Sequence, residues 1–136
     1  MNDDDFCMIS CLDFDNSKYS HVPILILEGF TLFECEPIFD RCNVRFFLTL
    51  VEEECRARRT ERTYDPPDIP GYFDAAIWPG YVNHYSNFIQ NRTGVTVFDG
   101  KTPIKDVWTQ SLEIIACRLN EKYFFSENDA KKSIIA

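Results

Sequence analysis

Two nearly unbroken apolar runs, PILIL at Pro23 to Leu27 and VRFFLTL at Val44 to Leu50, limit the possible folds of this chain more than any other feature. A strand with one wet face alternates apolar and polar residues, whereas a strand covered on both faces is apolar throughout. Both runs therefore predict buried strands of a parallel sheet. A third strand is expected at Gly94 to Phe98, GVTVF, with Asp99-Gly100 turning out of it. The connections read as helical. A short helix is expected within Phe30 to Phe39 and another over Glu52 to Arg62. A third should run from Asp74, as its cap, to about Arg92, with Ile77, Tyr81, Tyr85 and Phe88 as its apolar stripe. The last helix, Pro103 to about Asn120, carries Ile104, Trp108, Leu112, Ile115 and Leu119 on one face. Strands alternating with helices in this way predict an α/β fold, a parallel sheet with flanking helices.

At 136 residues and 45% apolar content the chain makes one domain or a large piece of one. Residues 1–20 are poorly defined, and either a helix or a strand fits Phe6 to Leu12. The structured part is expected over 21–120, followed by a frayed tail at 121–136.

A formal charge of -8 argues against tracking nucleic acid or an acidic membrane, which requires an extended basic field. No apolar run approaches the ~20 residues of a membrane span, and the opening MNDDDF is acidic where a secretory signal is basic. A cytoplasmic protein is expected. The six cysteines form no C-x-x-C pair and only two histidines could assist them, so they read as small core residues rather than a zinc site. The sequon Asn91-Arg92-Thr93 is expected to be idle in that compartment.

The acidic background makes one exception conspicuous. EEECRARRTERTYDPPDIPGYFD, Glu52 to Asp74, places Arg56, Arg58, Arg59 and Arg62 within seven positions, then alternates carboxylates and aromatics among three prolines. Guanidinium forks beside a rigid aromatic loop suit an anionic group held next to a planar one. On a continuous helix Arg58 and Arg62 would share a face and Arg59 would point about a quarter turn aside. Glu52 with Arg56 and Glu54 with Arg58 are equally the i,i+4 pairs of an ordinary solvated helix, so both readings stand on pattern alone. Glu28 follows the PILIL run at the expected carboxyl end of a strand, where open α/β sheets hold ligands. It could equally be a solvated strand terminus. A phosphate loop, G-x-x-x-x-G-K-[ST], is missing. GVTVFDGKT at Gly94 to Thr102 has one residue too many between its glycines, and its first glycine precedes the strand rather than following it.

PILILEGFTLF, RFFLTLVEEECRARRTERTYDPPDIPGYFDAAIWPGY and VTVFDG together resemble the later two-thirds of nicotinamide riboside kinases, P-loop nucleoside kinases, over about residues 21–119. The arginine-to-aspartate string favours this branch over uridine kinases. The resemblance implies a partial P-loop kinase fold and phosphorylation of the ribose 5′-hydroxyl of nicotinamide riboside by ATP with Mg²⁺, giving nicotinamide mononucleotide for NAD synthesis. It implies that Glu28 acts beside the magnesium, through water, and the phosphates. Arg58 and Arg62 are implied as lid arginines on ATP, and Thr63, Tyr64 and Thr102 as further ATP contacts, with KTP departing from the usual residues around Thr102. For the nucleoside it implies Arg59, Tyr64, Asp65 and Asp68. The first strand, the phosphate loop and the aspartate base of such kinases have no counterpart in this sequence. A truncated or alternatively spliced kinase product, weak or inactive alone, is therefore expected; the alternative is a non-catalytic remnant that binds a nucleoside or a protein.

Overall fold

The computed structural model of the protein describes Tyr19 and residues 21–122; the expectations for Phe6 to Leu12 and for the tail beyond 122 fall outside that range. A 3-10 turn at Leu32–Glu34 leads into α1 (Glu36–Arg41), which begins with Pro37 early in its first turn, where a missing N–H is harmless. Strand β1 (Phe46–Thr49) feeds α2 (Glu52–Thr60). A π-helical turn at Phe73–Ile77 runs into α3 (Trp78–Phe88), β2 (Thr96–Asp99) follows, and α4 (Ile104–Asn120) closes the described chain. The two strands pair in parallel, Phe46 opposite Thr96 through Thr49 opposite Asp99. The α/β architecture with a parallel sheet and flanking helices is as the sequence predicts.

PILIL is a correction. Residues 23–27 form no strand, and Ile24, Leu25, Ile26 and Leu27 are exposed, Leu25 by 82% and Ile26 by 84%. A strand exists through the ladder it joins. The sheet described consists of β1 and β2 alone, so no described strand pairs with the run. Its apolar content specifies what such a strand would bury and not whether a neighbour is there to receive it.

The core lies between the 3-10 turn, α1 and the end of α3. Phe33, Phe39 and Ile89 are buried, with Leu32, Phe47, Tyr85, Phe88 and Val95 packed around them. Phe33 meets Phe39 edge-on at 5.5 Å, and the guanidiniums of Arg45 and Arg92 both lie over the Phe39 ring, at 4.0 and 3.4 Å. Arg45 also donates twice to the Phe39 carbonyl, at 2.8 and 2.6 Å, so two cations are absorbed into the core wall. His84 is buried as well. It stacks on Phe47 and Phe88 and bonds Glu34 through Nδ1 at 3.0 Å, joining α3 to the 3-10 turn.

The stripe of α3 is half-buried as expected, and Tyr81 stacks on Phe47 of β1 and bonds Thr49 through its hydroxyl. The face expected of α4 is buried only in part. Ile104 is 84% exposed and Trp108 43%, while Leu112, Ile115 and Leu119 are half-buried.

Candidate functional site

Helix α2 starts without a side-chain cap. It places Glu52, Glu53 and Glu54 in its first turn and Arg58 and Arg59 in its last, which sets each charge against the opposite end of the helix dipole. It stops at Thr60. Arg62 therefore lies beyond the helix, and the expected i,i+4 pairing of Arg58 with Arg62 on one helical face does not form. The chain leaves through a turn, Arg62 N–H to Arg59 carbonyl at 3.2 Å, and the prolines at 66, 67 and 70 keep the loop that follows from returning to helix. Gly71, with φ of 78°, makes the reversal that starts the π-helical turn.

Two arginines of α2, three residues apart, hold this loop. Arg59 lies over the Tyr64 ring, its Cζ 4.4 Å from the centroid, and donates to both Asp68 oxygens, Nε to Oδ2 at 2.8 Å and Nη2 to Oδ1 at 3.0 Å. Its Nη1 also donates to the Tyr64 hydroxyl at 3.2 Å. Arg56 repeats the arrangement at the far end. Its Cζ is 4.3 Å over Phe73, and it donates to Asp74 at 2.5 and 3.1 Å and to Glu52 at 2.8 Å. The hydrogen bonds from Arg56 hold the Asp74 carboxyl below its ordinary range, and those carboxylates raise the Arg56 guanidinium further. Asp74 is thus no helix cap: the helical run begins at Phe73 with no side-chain cap, and the carboxylate is turned to Arg56.

Between helix and loop lies a cavity of about 520 Å³, within the range usual for small-molecule sites. Among the residues named from sequence, Arg59, Arg62, Thr63, Tyr64 and Asp68 line it. Arg56, Ile69, Tyr72, Phe73 and Asp74 line it too and carried no ligand role in the sequence reading. Only the repetition of an arginine with a later aromatic-Asp pair, Phe73-Asp74, could have pointed to the second clasp. Among the described residues Arg62 has no ion-pair partner, which leaves its guanidinium available to an anion at the cavity mouth.

The other named residues stand elsewhere. Arg58 turns away from the cavity, donating to Glu54 at 2.7 Å and to the Gly100 carbonyl at 3.1 Å. That contact ties α2 to the turn after β2, where Thr102 N–H bonds the Asp99 carbonyl at 2.9 Å and Lys101 reaches Glu54 at 3.9 Å. Arg58 and Thr102 thus share a second corner. Asp65 is exposed beside the loop and outside the cavity lining. Glu28 is exposed, no described residue bonds it, and the strand end that singled it out is not formed. Both i,i+4 pairs of a solvated helix are also present, Arg56 with Glu52 and Arg58 with Glu54, so the cluster serves the helix and the loop together. No group of three or more His, Cys, Asp or Glu that could hold a metal occurs among the described residues. One exposed carboxylate does not make a magnesium site by itself. Among the described residues no helix is long and apolar enough to cross a membrane.

No family model matches the chain. Individual proteins do: mouse nicotinamide riboside kinase 1 is 40% identical over 101 residues, which are 74% of this chain and 52% of the mouse protein. Three quarters of this chain is similar to nicotinamide riboside kinases. Human nicotinamide riboside kinase 1 is 38% identical over 104 residues, 76% of this chain and 52% of its own length. Mouse nicotinamide riboside kinase 2 is 40% identical over 103 residues, 76% and 53% respectively. The chain thus spans about half the length of the curated relatives it matches.

Proposed function

We propose that this chain carries the nucleoside-binding lid of a nicotinamide riboside kinase and contributes to ATP-dependent phosphorylation of nicotinamide riboside to nicotinamide mononucleotide, a step of NAD biosynthesis in the cytoplasm. The observation that carries the reading is the Arg59, Tyr64 and Asp68 cluster on the wall of a cavity of suitable size, in a chain whose relatives bear that name. A planar cationic pyridinium can stack on Tyr64, and the ribose hydroxyls can exchange hydrogen bonds with Asp68 and Arg59. Arg62 faces the phosphate side, and Arg58 reaches the same donor from the corner it shares with Thr102. Asp65 borders the nucleoside from the loop edge.

Phosphoryl transfer is mostly positioning and charge stabilisation, and these residues supply the part that grips substrate and spreads charge. Magnesium would arrive with the ATP phosphates, and Glu28 is the acid assigned to it through water. The 136 residues contain no phosphate loop, so the chain by itself is expected to bind nucleoside and transfer phosphate weakly or not at all. Calorimetric titration of the chain with nicotinamide riboside and with uridine tests the binding half. Saturable binding of the former, weakened about five- to thirtyfold in Tyr64→Ala and weakened also in Asp68→Ala, is expected; equal affinity for the two nucleosides, or none for either, contradicts it.

A further inference from the structure

The cavity is fastened at both ends by the same device, and only the Arg59 end falls on residues assigned to the ligand. Building on the reading above, we propose that Arg56 is a positioning residue: by clasping Phe73 and Asp74 it sets the far rim of the cavity, independently of the Arg59 clasp.

Phe73 and Asp74 open the π-helical turn that becomes α3, so their placement fixes where the loop ends and the helix begins. Phe73 has two partners. The Arg56 guanidinium covers it at 4.3 Å, and Trp78 stacks on it at 6.3 Å with planes 14° apart. From Trp78 the stacking continues to Tyr81 at 5.0 Å and from Tyr81 to Phe47 of β1 at 6.4 Å. Arg56 is thus the outer end of a column of rings anchored in the sheet. The inner end is held by packing, whereas the outer end is held by one half-buried arginine.

Asp74 fixes the direction of that arginine. A guanidinium bonded to both oxygens of a carboxylate has its plane set by it, which lays its face on the Phe73 ring rather than leaving it to rotate in solvent. Glu52, one helical turn before Arg56, takes a further N–H and stops the side chain swinging along α2. The rim formed by Tyr72, Phe73 and Asp74 is consequently placed before any ligand arrives, and a ligand closing against a placed rim does not have to order it. Arg59 acts nine residues or fewer away in sequence, on Tyr64 and Asp68, and shares no partner with Arg56.

The test uses the full chain with Trp108→Phe, so that Trp78 is its one tryptophan. Amide hydrogen exchange and Trp78 emission are compared among this parent, Arg56→Ala, Arg56→Lys, Asp74→Asn and Arg59→Ala. Arg56→Ala and Asp74→Asn are expected to speed exchange of the bonded amides in 72–76 roughly tenfold and to shift Trp78 emission to the red, with the amides of β1 unchanged. Lysine keeps the charge without the planar fork and should give an intermediate result; if alanine unfolds the chain, the comparison rests on lysine and on Asp74→Asn. Arg59→Ala should change Trp78 little. Nicotinamide riboside is then titrated into each folded variant, and Arg56→Ala should bind it at least about fivefold more weakly than the parent. Unchanged exchange at 72–76, or exchange raised equally in β1, overturns the role of Arg56. Tight binding retained by Arg56→Ala overturns it as well. A parent that exchanges as described but binds no nicotinamide riboside overturns the ligand assignment and leaves the two-clasp rim standing on its own measurement.

Discussion

Arg59 lies 4.4 Å over the ring of Tyr64 while both oxygens of Asp68 receive its N–H groups, so the tyrosine face turned to the arginine is already occupied. On the proposed reading a planar ligand takes the other face, with the arginine as a backing plate for the ring. The consequences of this arrangement separate binding from transfer.

In a chain completed with the amino-terminal part of a relative, Tyr64→Ala should raise KM for nicotinamide riboside by about five- to thirtyfold with kcat nearly kept, the loss of one cation–ring contact. Arg62→Ala and Arg58→Ala should instead lower kcat, because guanidiniums on the transferring phosphates act most strongly when charge redistributes. Steady-state kinetics of the three variants is the check. Equal loss of stability in all three, with no kinetic separation, returns the cluster to an ordinary charged helix.

The Asp74 clasp gives a pH dependence whose sign is fixed. Its carboxyl is held below its ordinary value in the folded protein, so it binds a proton less readily there than in the unfolded chain. Its contribution is fully present above the unfolded value, near 4, and is lost as pH falls through the folded one. The exchange difference between wild type and Asp74→Asn at 72–76 should be constant from pH 7 to 5 and shrink below about pH 4. A difference that grows on acidification contradicts the pair.

Residues 24–27 offer a contrast between what composition suggests and what is formed. Ile26→Ser and Leu25→Ser should change the stability measured by urea denaturation by no more than about 0.5 kcal/mol, as for surface sites, whereas burial in a sheet would make the loss about 2 to 4 kcal/mol. Both changes should also reduce dye binding to exposed apolar surface. Ile89, 3% exposed against Phe33 and Phe39, is the reference: Ile89→Ala should cost about 2 to 4 kcal/mol in the same experiment.

These cases show where the sequence was readable. The helices, β1 and β2 follow from local periodicity, and the Arg59 to Asp68 loop from proline and charge placement, since each signal lies within a few residues of the element it forms. PILIL failed because pairing is a property of two strands and only one is written in the run. His84 was missed as core because the aromatics that enclose it, Phe47 and Phe88, come from different elements. Arg56 had an adequate local explanation in Glu52, and nothing nearby in sequence announced Asp74, eighteen residues on. Long-range ion pairs leave no periodic trace.

The central claim is that residues 52–74 form the nucleoside lid of a nicotinamide riboside kinase that acts only in company with a phosphate loop. Labelled ATP and purified protein test it directly, with the isolated chain beside a hybrid that carries the amino-terminal half of mouse nicotinamide riboside kinase 1. The account predicts nicotinamide mononucleotide from the hybrid, a rate at least tenfold lower from the isolated chain, and a preference of the hybrid for nicotinamide riboside over uridine. A folded hybrid that phosphorylates uridine faster or makes no nicotinamide mononucleotide, or an isolated chain that matches the hybrid, would contradict it.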